Sequence, residues 1–310
     1  MPGIIGEDRS LEAGDSVVWT SPPIGLSSRM WTNFHTHSSF CDGKASLQEM
    51  FDSAQDLGLL SLGFSSHAPL PFFRPWAMKA EDMDNYLKEI SEITESSKRM
   101  EVYAGLEVDF IPGRIGPSYY SLQLDYTIGS VHFVDTFPDG EPWEIDNTHA
   151  VFMRGVDEIF KGDVKAGVCR YFEVTREMLE LDCPTILGHL DKIKMHNRDG
   201  ELFDEGASWY TSQIDLLIEA ILRSGVIVEV NTRGKYQNKT TTTYPGLDIL
   251  TKLASKNIPV TINSDAHHPK DLVNGFVEAV GDLRRAGFKE IMILHEGKWQ
   301  PTRFNERGIC

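Results

Sequence analysis

Short apolar, β-prone runs recur along the chain at 31–37, 60–66, 101–108, 126–132, 184–189, 226–231 and 258–264, with a last one at 290–294. Amphipathic segments separate most of them. Ser46-Leu-Gln-Glu49 is a capping-box signature that opens a helix running to Gly58. Residues 80–98 are charged with a helical period, and 163–181 and 206–224 place apolar residues at three- and four-residue spacing. Gly225 stands where a C-terminal glycine cap is expected, Pro245-Gly246 precedes a further helix over 247–256, and 271–286 is the last. About seven strands alternating with helices predict a mostly parallel sheet covered by helices, as a closed barrel or, alternatively, an open doubly wound sheet. No strand is followed by GxGxxG or GxxxxGK[ST], which argues against the usual nucleotide-binding version.

At 310 residues the chain is long enough for one large α/β barrel. Residues 1–29, rich in Gly, Pro and Ser, match no pattern and are expected to be an N-terminal extension to one domain over 30–310. The formal net charge of −16 provides no basic surface for a nucleic-acid backbone, but it suits bound divalent cations. Cys41, Cys169, Cys183 and Cys310 lack CxxC spacing and read as reduced thiols. With no apolar run near the roughly 18 residues of a membrane span and no signal-peptide pattern, a cytoplasmic location and no membrane partner are expected. A homo-oligomer is compatible with the sequence.

The chemistry lies where the apolar runs stop. The first ends in His35-Thr-His37, whose side chains share one face of a strand, with Asp42 just beyond. The second ends in His67, the third carries Glu107 in an otherwise apolar stretch, and the fourth and fifth end in His132 and His189. The sixth ends at Asn231, and the seventh in Asp265-Ala-His267. Any one of these histidines alone is more often a hydrogen-bonded structural residue than a ligand, and Glu107 or Asp265 alone could be a helix cap, an arginine partner or a turn residue. As a set they read otherwise. Six of the ten histidines fall at equivalent strand ends with carboxylates among them, where a parallel barrel builds its site. Burying so many polar groups together is costly without a compensating ion. His149, His196, His268 and His295 lack this placement and read as solvated or structural, although His268 adjoins the set.

Nine mixed His and carboxylate donors exceed the four or five that one zinc takes. They suit a three-ion cluster of Zn, Mn or Fe with one bridging carboxylate. Such a cluster makes hydroxide near neutral pH and holds phosphoryl oxygens during in-line displacement. No nucleophile elbow competes with it.

The ordered set His-x-His, His, Glu, His, His and Asp-x-His over residues 35–267 closely resembles the PHP (polymerase and histidinol phosphatase) superfamily. The resemblance implies a distorted (β/α)7 TIM-like barrel with a metal cluster at the C-terminal strand ends. It implies one ion on His35, His37, Glu107 and Asp265, a second on Glu107, His132 and His189, and a third on Asp42, His67 and His267. Asp42 stands where some members have His. Gly129-Ser-Val-His132-Phe-Val-Asp135, Gly188-His-Leu-Asp-Lys-Ile-Lys194, Val230-Asn-Thr-Arg-Gly234, Tyr244-Pro-Gly-Leu-Asp-Ile-Leu250 and Arg170-Tyr-Phe-Glu are similar to the monofunctional histidinol-phosphate phosphatases. The match is poor over 133–165, where Trp143, Asp146 and Arg154 are equally surface packing or substrate contacts.

The expected reaction is hydrolysis of a small phosphate monoester, L-histidinol phosphate first among them, by hydroxide held between two ions at Glu107. His267, Asp191 or a metal-bound water would serve as proton donor, and the sequence does not choose among them. Lys194 and Arg170, with Arg233 behind them, are the expected phosphate-binding cations. The rivals are a phosphoesterase acting on a nucleotide or sugar phosphate, an amidohydrolase, a non-catalytic metal-binding PHP module and a nuclease. A carboxylated lysine at the fourth strand would mark the amidohydrolase, but that strand ends in His132. The acidic charge argues against the nuclease.

Overall fold

A computed structural model describes residues 31–310; the expectation for 1–29 lies outside them. Seven strands form one parallel sheet: β1 (Thr32–Asn33), β2 (Ser61–Phe64), β3 (Glu101–Asp109), β4 (Tyr126–Ser130), β7 (Ile186–Leu187), β8 (Ile227–Asn231) and β9 (Val260–Asn263), hydrogen-bonded in that order. They are the seven runs read from the sequence. The sheet rolls into a nearly closed, distorted (β/α)7 barrel. Its seam, between β1 and β9, has no regular ladder. Asparagine side chains replace it: Phe34 donates its N–H to Asn263 Oδ1 (2.8 Å) and Asn33 Nδ2 donates to Ser264 Oγ (2.7 Å). A lone backbone bridge, Thr36 to Ala266, completes the ring. This substitution of side chains for backbone partners is why β1 is shorter than its apolar run.

Helices α1 (Leu47–Asp56), α2 (Met83–Ser96), α5 (Ser208–Ser224), α7 (Leu247–Ser255) and α8 (Phe276–Ala286) cover the ring. In α1 the capping box forms as the sequence indicates, with Glu49 N–H on the Ser46 side chain and Ser46 N–H on the Glu49 carboxylate. Helix α5 ends on Gly225 at φ 71°, a conformation that a Cβ disfavours. Between β4 and β7 the chain leaves the barrel. It forms a hairpin, β5 (Phe133–Thr136) and β6 (Pro142–Glu144), then α3 (His149–Phe160), and returns along α4 (Val164–Leu181), which covers the ring beside α5 with Met178 against Gly129 of β4. A short helix, α6 (Arg233–Tyr236), follows β8.

The run at 290–294 does not join the barrel. It is β10 (Glu290–His295), which turns back antiparallel into β11 (Lys298–Asn305), followed by β12 (Gly308–Ile309). Glu296 and Gly297 both take positive φ, as a two-residue primed hairpin turn requires, and this local pairing wins over addition to the ring. Leu294, Met292 and Trp299 pack against Phe34, Tyr103, Tyr126, Ile128, Ile186 and Ile227, closing the mouth of the barrel at the strand N-termini. Ser61, at the start of β2, donates to the Leu294 carbonyl there (3.0 Å). Tyr126 lies across the interior and donates to the Phe34 carbonyl (2.7 Å). Gly63 and Gly105 make room for its ring, since a Cβ at either would collide with it. With one mouth sealed by apolar side chains, the polar strand-end residues face the other. No helix among the described residues is long and apolar enough to cross a membrane.

Candidate metal centre

Strand β3 carries Glu107, buried at the middle of the open end. Its two oxygens face different partners. Oε2 lies 3.2 Å from His35 Nε2, 3.4 Å from His37 Nε2 and 3.0 Å from His67 Nδ1. Oε1 lies 2.9 Å from His189 Nε2 and 3.6 Å from His132 Nε2, and accepts from Ser130 Oγ at 2.7 Å. Across the seam, Asp265 Oδ1 lies 3.3 Å from His37 Nε2 and 3.8 Å from His35 Nε2. Asp42 Oδ1 lies 3.0 Å from His267 Nε2 and 3.8 Å from His67 Nε2. All nine residues proposed from the sequence as donors therefore meet at one end of the barrel.

Their donor atoms converge in three groups: His35, His37 and Glu107; His67, Glu107 and His132; and His37, Asp42, His67 and His267. The groups overlap the three sets implied by resemblance without coinciding with them. Asp265 stands at the edge of the first. In the second, His67 takes the place of His189, and His37 joins the third.

The donors also pass a physical test for metal. His35 Nε2, His37 Nε2, His67 Nδ1 and Asp42 Oδ1 are buried without a hydrogen-bond partner. The rings of His37 and His267 are 3.9 Å apart between centroids, and those of His37 and His67 are 4.4 Å apart. Lone pairs crowded together in this way are stable only around a cation. Burial, the largest influence, would push the Glu107 carboxyl up, but His67 and His35 outweigh it and hold it well below the ordinary range. Burial likewise lowers His37, helped by repulsion from His267 and His67. An ionised Glu107 beside a neutral His37 suits a dication such as zinc, manganese or iron.

Two carboxylates orient the imidazoles from behind. Glu229, fully buried on β8, places Oε1 2.6 Å from His35 Nδ1, and its Oε2 accepts from the His189 N–H at 2.9 Å. Asp109 Oδ1 lies 3.1 Å from His132 Nδ1. Burial pulls the basicity of His35 down, but Glu229, Asp265 and Glu107 outweigh it and leave it well above its usual value. Burial and Lys192 lower His132, and Asp109 and Asp146 more than offset them, raising it to about 9. Glu229 was missed in the sequence, although a glutamate inside the apolar Ile227–Asn231 run is the same signal that marked Glu107.

Above the donors is a cavity of about 200 Å³. Its walls include Trp76, Glu144, Asp146, Lys192, Arg233 and Lys239. Of the three cations expected from the sequence, Arg233 alone lines the cavity. Arg170, on the outer face of α4, lies 4.0 Å from Asp135 and 3.6 Å from Glu173, and does not line the cavity. The Lys194 ammonium is buried and fully engaged by Asp191 Oδ2 (2.6 Å), Thr242 Oγ1 (3.0 Å) and the Thr243 carbonyl (3.1 Å). That pairing also removes Asp191 from the cavity wall, leaving His267 as the one of the two expected proton-donating residues that lines it. Arg233 does line the cavity, hydrogen-bonded to the Asp265 carbonyl (2.6 Å) and in contact with His267 Nδ1. Lys192 was overlooked. A 3₁₀ turn over Lys192–His196 sends its ammonium upward, 2.9 Å from Asp146 Oδ2 and 3.0 Å from His132 Nε2, while Lys194 points away. In the excursion after β4, Trp143 is core, packed on Phe152 and Phe160. Arg154 is a surface residue paired with Glu158, and Asp146 reaches the cavity.

The PHP domain family model matches residues 33–233. The chain belongs to the PHP domain family. It is 27% identical over 284 residues to a Deinococcus radiodurans protein named probable histidinol-phosphatase, covering 86% of this chain and 97% of that one. It is 26% identical to the Bacillus subtilis histidinol-phosphatase, covering 77% and 94%. A crystal structure of the Lactococcus lactis histidinol phosphate phosphatase, complexed with Zn, L-histidinol and phosphate, superposes with a TM-score of 0.63 at 19% identity, covering 91% of this chain and 98% of that one. In this chain the PHP barrel brings together at its polar end His, Asp and Glu groups that could hold metal ions.

Proposed function

We propose that the chain is a metal-dependent phosphomonoesterase and that its substrate is L-histidinol phosphate, hydrolysed to L-histidinol and inorganic phosphate. The observation that carries this reading is Glu107, whose two oxygens face separate imidazole sets at the foot of a cavity walled by Lys192 and Arg233. The names of the relatives over nearly their whole length support the substrate. In this reading three divalent ions, of Zn, Mn or Fe, are held by His35, His37, Glu107 and Asp265; by Glu107, His132 and His189; and by Asp42, His67 and His267. When bound, such ions supply Lewis acidity toward phosphoryl oxygens and lower the pKa of water enough for it to attack at neutral pH. The chain's own residues do the rest. Lys192 and Arg233 offset charge that grows on the phosphoryl oxygens. Asp146 holds the Lys192 ammonium at the cavity, and Glu229 and Asp109 fix the ring orientation of His35 and His132.

The deciding experiment is phosphate release from L-histidinol phosphate, beside a nucleotide and a sugar phosphate, before and after chelation. Chelation should abolish turnover and Zn or Mn should restore it; a chelated protein with full activity sinks the reading, and a preference for another ester sinks the substrate. Lys192→Met should lower kcat/KM about tenfold, the loss of one charged hydrogen bond of about 1.5 kcal/mol. Arg170→Ala should leave kcat/KM unchanged within about a factor of two, being remote from the cavity. Equal losses in both would return Arg170 to consideration.

Metal uptake should also release protons. His132, raised to about 9 in the metal-free chain, holds a proton at pH 7 that must leave before the ring can be a ligand, and the upward shift of His35 acts in the same sense. At least about one proton per chain is expected to leave on loading at pH 7, and affinity should weaken as pH falls. Calorimetry in two buffers of different ionisation enthalpy measures this, and a count of zero would contradict the assignment of these rings.

A further inference from the structure

His37 stands between two donor groups and belongs to both. Its Nε2 lies 3.3 Å from Asp265 Oδ1 and 3.4 Å from Glu107 Oε2, and is buried without a hydrogen-bond partner. Its Nδ1, on the opposite edge of the ring, lies 3.9 Å from Asp42 Oδ1. A neutral imidazole has one nitrogen with a bare lone pair and one with a proton. The position of that proton therefore decides which group the ring serves.

The neighbour at the deciding edge is Cys41, a thiol to which the phosphatase reading gives no part. Its Sγ lies 3.4 Å from His37 Nδ1, nearer than the Asp42 oxygen. Cys41 itself is in none of the three donor groups. The loop after β1 holds it in place. There the Ser38 carbonyl accepts from the backbone N–H groups of Cys41 (3.0 Å) and Gly43 (3.1 Å). Gly43 packs so closely on this loop that a Cβ would lie 2.5 Å from the Ser38 nitrogen. The thiol donates its own proton to the same carbonyl at 3.4 Å, which leaves the sulfur lone pairs free to accept. When Nε2 is bare for a dication, Nδ1 carries the proton and needs an acceptor. Asp42 at 3.9 Å is beyond hydrogen-bond range. We infer that Cys41 is a positioning residue: its sulfur accepts the His37 Nδ1–H, keeps Nε2 bare, and so commits His37 to the ion at Glu107 and Asp265 and withholds it from the ion at Asp42. Glu229 and Asp109 stand in the same relation to His35 and His132, and here a thiol takes the place of a carboxylate. The inference rests on the metal-dependent reading for the ions themselves.

Zinc is the probe. In competition with a chromophoric chelator, Cys41→Val, which fills the space but accepts nothing, should weaken zinc binding about tenfold, while Cys41→Ser, which restores an acceptor, should stay within about threefold of wild type. Cys41→Ala, without added bulk, should lose affinity in the same sense as valine. Wild-type protein is tested as well, so that the result does not depend on how valine fits the loop. Heteronuclear NMR of zinc-loaded protein labelled at the histidine ring nitrogens should show His37 protonated on Nδ1 and bound through Nε2. Zinc bound through Nδ1, wild-type affinity in the valine and alanine variants, or a serine variant as weak as valine would overturn the inference. If zinc binding depends on Cys41 in this way and no phosphate ester is hydrolysed, the positioning stands and the phosphatase reading fails. If esters are hydrolysed and Cys41 changes nothing, the reverse holds.

Discussion

Glu107→Gln is expected to lower phosphate release by about three orders of magnitude, equivalent to about 4 kcal/mol, and to yield purified protein short of metal. Glutamine keeps the volume and can still meet Ser130, so the packing around β3 should survive. What it removes is the anion. Oε2 faces His35, His37 and His67, and Oε1 faces His189 and His132. An amide is a poor ligand for a dication, and its NH₂ end would point at imidazole lone pairs that need a cation. Removing one member of a buried charged set typically costs about 3–5 kcal/mol because the rest is left uncompensated. Steady-state kinetics and elemental analysis of the same preparation check both halves. A variant with wild-type metal content and kcat would show that Glu107 does not bridge.

Glu229→Gln should weaken metal binding by about 10- to 100-fold, although the residue touches no proposed ion. With Oε1 2.6 Å from His35 Nδ1, the native carboxylate demands a proton on Nδ1 and so leaves the Nε2 lone pair facing Glu107 and Asp265. The glutamine oxygen would be retained by the His189 backbone N–H and Asn231 Nδ2, turning the amide NH₂ toward His35 and toward Asn263 Nδ2, which loses its acceptor. That reverses the preference and favours the tautomer with its proton on Nε2, where no ligand can carry one. Competition with a chromophoric chelator measures the affinity. A variant that binds as tightly as wild type would mean that neighbouring groups set the His35 tautomer. Excess metal should restore most of the activity of Glu229→Gln and little of that of Glu107→Gln, which distinguishes orientation from ligation.

The barrel was legible because its strands are buried on both faces and read as continuous apolar runs, so any polar residue in or just after them stood out. His35, His37, Glu107 and Asp265 were visible for this reason. Glu229 carried the same signal but lies in the middle of its strand rather than at the end, and a search confined to strand ends passed over it. The cations were less legible. Lys192 and Lys194 are two residues apart in one short turn, and only the turn's geometry decides which ammonium rises into the cavity and which is consumed by Asp191. The hairpin β5–β6 and α3 carry no barrel periodicity; they are stabilised by tertiary packing around Trp143, which the local pattern does not report. The walls that would choose the substrate therefore depend on contacts distant in sequence, whereas the donors depend on a repeated local pattern.

The seam between β1 and β9 gives the metal centre a second consequence. His35 and His37 lie on one side of it, Asp265 and His267 on the other, more than two hundred residues later in the chain, and the backbone joins them through a lone bridge. An ion held in common by His37 and Asp265, as proposed, would be a cross-link over the longest loop in the barrel. It offsets a closure entropy that no ladder of hydrogen bonds covers. Loss of the ion would then favour opening of the barrel at this seam, and bound metal would stabilise the closed ring to a degree that rises with the free ion concentration.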